Sequence, residues 1–179
     1  MKFANLLLRF TLLLAFSMLL KFDVTAGSSD SLELKGVIFN SKAKVKGVIV
    51  NIYDHNKLIK QIDVGSSNRF VNNLPLNTIL TIEITAPNFH VKRFVMDTTV
   101  PNKIKESQLK YDFDIDIFGE DELANVNTSF LDFPVGLVSF DLKKKEFHRN
   151  KKYTNRMKKA YLKLWAESQS ASRQGTGLK

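Results

Sequence analysis

The chain has 179 residues, 27 Lys+Arg against 18 Asp+Glu, no cysteine, and a hydrophobic share of 44%. That length and that share fit one folded domain and exclude a chain too polar to bury a core. The missing cysteines exclude disulfides, zinc–thiolate centres, iron–sulfur clusters, thiol catalysis and a lipid anchor carried on cysteine.

Lys2 and Arg9 open the chain with positive charge, an apolar run follows from Phe10 to Leu20, and Val24-Thr25-Ala26 is a small-residue exit. This order predicts a cleavable secretory signal peptide over 1–26. The apolar run is too short for a spanning helix, which needs about 20 residues. Cleavage after Ala26 leaves a chain with no predicted transmembrane span. It keeps 24 basic and 17 acidic residues, a net charge of +7. Export changes how that charge reads: nucleic acid becomes a minor partner class. An acidic envelope protein, or an anionic lipid or glycan surface, becomes the expected one.

Leu32–Phe39 alternates apolar and polar before turning continuously apolar, and Val45–Tyr53 places Val48, Val50 and Ile52 on one face at a period of two. Asp54-His55-Asn56-Lys57 is a turn by composition. Leu58–Val64 is a strand with Leu58, Lys60, Ile62 and Val64 on one face. Gly65-Ser66-Ser67-Asn68 marks the next turn, since Gly and Asn tolerate positive φ. Arg69-Phe70-Val71 is a short strand ending at Asn72-Asn73-Leu74-Pro75. Thr78–Thr85 directs Ile82 and Ile84 inward and Thr81, Glu83 and Thr85 outward, and Phe89–Met96 is a further strand. Strands of this length, with turns about every ten residues, predict an antiparallel β-sandwich of immunoglobulin-like type.

The aperiodic stretch from Asp97 to Lys110 predicts a crossover. Tyr111–Phe118 is the strongest period-two run, with Tyr111, Phe113, Ile115 and Ile117 on one side. After a polar acidic loop over 119–132, Pro134–Phe140 reads as the last strand, with Glu146-Phe147-His148 as a hairpin partner. Then the period changes. Tyr153, Met157, Ala160, Tyr161 and Leu164 recur at helical spacing, with Trp165 at the margin. The domain reading is therefore a sandwich over 27–148, a basic amphipathic helix over 149–168 and a disordered tail over 169–179.

Lys46-Gly47-Val48 with Val50 and Ile52-Tyr53, Arg69-Phe70 before Asn73-Leu74-Pro75, Thr81–Ile84, Pro87-Asn88-Phe89 with Lys92, and Asp97-Thr98 with Val100-Pro101 form a connected pattern. It resembles the carboxypeptidase-regulatory-like, transthyretin-like β-sandwich modules of exported Bacteroidetes envelope proteins, over roughly 36–159. Asn88-Phe89 stands where the family usually has Gly before an aromatic. The resemblance implies a non-catalytic module. It also implies that Asp30-Ser31-Leu32 and Asp97-Thr98-Thr99 are similar to O-glycosylation sites, at Ser31 and Thr98.

Little else carries chemistry. His55, His90 and His148 lie far apart, without metal-ligand spacing. There is no phosphate-binding glycine loop and no Gly-x-Ser-x-Gly elbow. Asp112, Asp114 and Asp116 fail the calcium-loop pattern, because Ile117 and Leu123 occupy the positions of its Gly and Glu. They read as the solvated face of a strand, with a weak ion site involving Glu120 and Asp121 as the alternative. No cofactor, metal or catalytic residue is expected. The stretch Lys143–Lys163 holds ten Lys/Arg and one acid, Glu146, so the positive charge is localised. Lys151, Lys152, Arg156, Lys158 and Lys159 are the candidate partner-binding residues, on a helix suited to an anionic surface or a protein partner. The expectation is a non-enzymatic exported envelope protein, in the periplasm or on the cell surface. The alternative is a carbohydrate- or small-ligand-binding accessory module, for which Tyr53, Tyr111 and Trp165 are the available aromatics.

Overall fold

Leu32, Leu34 and Ile38 are fully buried at alternate positions of Ser31–Phe39 (β1), as a half-buried strand requires. The same logic runs through Ile49–Asp54 (β2), Arg69–Pro75 (β4) and Ile79–Thr85 (β5), where Val50, Ile52, Leu74, Leu80, Ile82 and Ile84 face the interior. These belong to a computed structural model that describes residues 31–41, 43–101, 109–124 and 126–175. The predicted leader, most of the predicted crossover and the last four residues lie outside that range. Lys57–Asp63 (β3), Lys92–Asp97 (β6), Lys110–Asp116 (β7), Gly136–Asp141 (β8) and Glu146–Arg149 (β9) complete the strands, and Lys151–Gly175 is the helix (α1).

Two sheets face each other: β4-β1-β7, and β3-β2-β5-β6-β8-β9. The protein is thus a mainly β sandwich with a C-terminal helix. Most pairings are antiparallel, but β1–β7 and β6–β8 are parallel. Alternation alone cannot reveal that, because a parallel and an antiparallel neighbour ask for the same period of two. β1 and β7 are joined through β2–β6, and β6 and β8 through β7, the long connections that parallel neighbours need.

At the centre of the smaller sheet, Gly36 sits in register between Phe70 and Phe113. A Cβ there would lie 2.5 Å from both rings. The bare position lets Phe70 and Phe113 meet edge-on at 5.7 Å, and Phe94 of the facing sheet meets Phe113 at 4.8 Å. The turn after β3 uses the expected residues: Gly65 and Asn68 have φ of 63° and 55°. Asn68 is buried, its Oδ1 accepting from the Val45 amide at 3.0 Å and its Nδ2 donating to the Val45 carbonyl.

β3 is an edge strand whose register against β2 shifts at Ile52/Tyr53, and Leu58 and Ile59 are both exposed on it. Two expectations are corrected. Thr98 is completely buried, its hydroxyl donating to the Thr78 carbonyl at 2.8 Å and accepting from the Thr78 amide. That hydroxyl is inaccessible to a glycosyl donor in the folded chain, whereas Ser31 is only partly buried. Finally, α1 does not end near Ser168 but continues to Gly175. Ser168 is buried on the inner face of the helix, and the sequence beyond it contains no proline to stop the turn.

Candidate functional site

Helix α1 starts where Asn150 caps it, with Oδ1 accepting from the Tyr153 amide at 3.0 Å. Its inner stripe is Met157, Tyr161 and Ser168, all buried, flanked by Tyr153 and Leu164. This stripe does not enter the main core. It closes a second cluster with Leu123 and Leu131, built on the segment between β7 and β8. Tyr153 donates to the Pro134 carbonyl at 2.8 Å. The Ser168 hydroxyl donates to the Glu122 carbonyl at 2.7 Å, with the Ala124 carbonyl at 3.3 Å.

One clamp in this cluster has no helical or strand periodicity to announce it. Lys92 Nζ lies 4.6 Å from the Tyr161 ring centre and 4.9 Å from that of Phe118, and donates to the Asp116 carbonyl. Burial pushes its ammonium down to about 8, against the opposing pull of the Asp116 carboxylate. Tyr161 stacks on Phe118 at 5.8 Å and meets Phe130 edge-on at 6.0 Å. Its buried hydroxyl has no hydrogen-bond partner among the described residues, and burial pushes the phenol well above its ordinary range.

With the inner stripe occupied, the other side of α1 faces water. Lys151, Lys152, Arg156, Lys158 and Lys159 are all exposed. Among the described residues none of the five has an acidic partner. Arg156 lies over the Tyr153 ring at 5.1 Å, and Lys163 pairs with Glu167 at 3.7 Å. Leu162 and Trp165 stand exposed among these cations, at 54% and 45%. The structure therefore brings the five predicted residues onto one element and turns them outward together.

The other candidates separate. Asp112, Asp114 and Asp116 alternate along β7, an edge strand, and Asp116 accepts from the Ser41 amide at 2.9 Å. His55 contacts Asp54 at 2.8 Å in its turn, His90 lies between β5 and β6, and His148 pairs opposite Ser139. Among the described residues no three His, Asp or Glu side chains are grouped to hold a metal ion. Tyr53, Tyr111 and Trp165 lie on β2, β7 and α1 and make no common platform.

A row of polar side chains crosses the larger sheet without any sequence motif to mark it. Gln61, Asn51, Glu83 and Arg93 stand in register across β3, β2, β5 and β6. Gln61 donates to Asn51, Asn51 to Glu83 at 3.3 Å, and Arg93 meets Glu83 at 2.7 Å. Tyr53 also donates to Glu83, at 3.2 Å. Each residue occupies an outward position of its strand, the one signal that could have suggested the row. Its polar atoms satisfy one another, which makes it a brace across the sheet.

No family model and no curated protein matches the chain. Among solved structures it is similar to S.CueP, at a TM-score of 0.36 and 14% identity. The match covers 50% of this chain and 62% of that one, so the chain spans less than two thirds of the structure it matches.

Proposed function

We propose that this is a non-enzymatic, exported cell-envelope protein whose sandwich holds α1 as a docking element for an acidic protein or an anionic lipid or glycan surface. One observation carries the reading. The helix is anchored by Met157, Tyr161 and Ser168, which leaves Lys151, Lys152, Arg156, Lys158 and Lys159 exposed and without acidic partners among the described residues. A cationic face fixed in this way spends little conformational freedom on binding, and its field speeds encounter with an acidic surface. Exposed Leu162 and Trp165 add apolar contact within the same face. The leader and the resemblance to envelope β-sandwich modules support export. No helix among the described residues is long and apolar enough to cross a membrane.

The test is capture of partners from detergent-solubilised envelope by the tagged chain, beside a variant with the five cations changed to Gln. Phosphatidylglycerol vesicles and neutral phosphatidylcholine vesicles form a parallel arm. A stoichiometric, salt-sensitive protein partner lost in the variant supports protein docking. Binding only to the anionic vesicles, again lost in the variant, supports a lipid surface. Retention of every association by the variant overturns the proposal.

A further inference from the structure

Strands β7 and β9 are edges of different sheets that come close without pairing. Between them lies a cavity of about 120 Å³, partly open to solvent. Phe94, Tyr111 and Phe113 supply its aromatic wall, and the first turn of α1 contributes Thr154. Gly136 leaves the floor bare: a Cβ there would stand 3.9 Å from both Phe94 Cβ and Thr154 Oγ1. Thr154 Oγ1 is buried and has no hydrogen-bond partner among the described residues. An orphaned hydroxyl beside an aromatic hollow is a polar group awaiting a partner.

Arg149 ends β9 at the cavity and is exposed, without an ion pair among the described residues. Its charge reaches the Tyr111 phenol, where it opposes the upward push of burial. Asp114 also borders the gap, but the alternation of β7 directs its carboxylate to the outer face, opposite Tyr111 and Phe113. The unopposed charge at the mouth is therefore positive. An apolar cavity of about 150 Å³ accommodates a benzene ring. The volume here suits a body of that order, such as one ring or a short branched chain.

We propose that this cavity binds a small organic carboxylate, its apolar body against Phe94 and Phe113, its carboxylate on Arg149 and its edge within reach of the Thr154 hydroxyl. This site is separate from the outer face of α1, so either proposal stands or falls without the other. Benzoate is the probe, titrated into the chain followed by amide NMR, with benzyl alcohol as the neutral comparator. The expected result is saturable shifts at β7, Gly136 and the first turn of α1. Arg149→Gln weakens benzoate about tenfold without moving the unfolding midpoint, and benzyl alcohol binds the unaltered chain about as weakly. Gly136→Ala, whose added methyl makes only ordinary contacts, weakens both compounds. The five-Gln helix variant keeps its benzoate site. The proposal is overturned if no saturable shift occurs, if benzoate and benzyl alcohol bind alike, or if the shifts track the α1 cations and vanish in the five-Gln variant.

Discussion

The two hydrophobic clusters of this protein are built differently. The sandwich core is made of aliphatic and aromatic side chains delivered by strand alternation, and Leu32, Leu34, Ile52, Ile82 and Met96 are wholly shielded from water. The cluster under α1 is smaller and carries a lysine, an orphaned phenol and a serine hydroxyl among its contacts. Polar groups in a half-dry setting weaken packing unless fully satisfied. The sandwich core should therefore open less readily than the cluster under α1. Regions that engage partners are commonly drawn from the less stable end of the range.

The largest test of this contrast is Gly36→Val. Its side chain collides with Phe70 and Phe113, and urea unfolding should register a global loss of about 2–3 kcal/mol. A loss under about 0.5 kcal/mol would mean that the centre of the sandwich is looser than described. Met157→Ala should remove about 2 kcal/mol from the α1 cluster. Hydrogen exchange should then quicken along α1 and the segment before β8 while β1 and β5 keep their protection. Equal acceleration everywhere would merge the two clusters into one cooperative unit.

Lys92 gives a pH signature. Its folded value of about 8 lies below the unfolded 10.5, so between them the unfolded chain binds more protons and stability rises with pH. Above pH 10 the tyrosines held up by burial reverse the trend, since their folded forms retain protons longer. Between pH 8 and 10 the gain should be about 1–2 kcal/mol, moderated by the two rings and the Asp116 carbonyl. Lys92→Met should flatten that rise; an unchanged slope would assign it to another group. The smallest effect belongs to the five cations. Changing them to Gln should alter stability by less than about 0.5 kcal/mol, because exposed charges contribute little.

Much of this could be read in the sequence, and the reasons are local. β1, β5 and β7 carry their burial in a period of two, and the Gly65 and Asn68 turn advertises its positive φ. The inner stripe of α1 at Met157, Tyr161 and Leu164 follows from helical spacing alone. The parallel pairings do not, because the choice of neighbour is made by contacts far apart in the chain. Thr98 carries a surface-like motif yet closes a bond to Thr78. Lys92, Gly136 and Thr154 acquire their roles only when α1 folds over strands distant in sequence. The five cations are legible both as charge and as the helix face opposite the Met157 and Tyr161 stripe.

If α1 holds to the sandwich with one face and engages an anionic surface with the other, the two roles can be separated. Hydrogen exchange on α1, measured with partner capture in the same preparations of the unaltered chain and the five-Gln variant, separates them. The variant should keep the helix's protection and lose the partner. Retention of the partner, or its loss only together with the protection of α1, would overturn that division of roles.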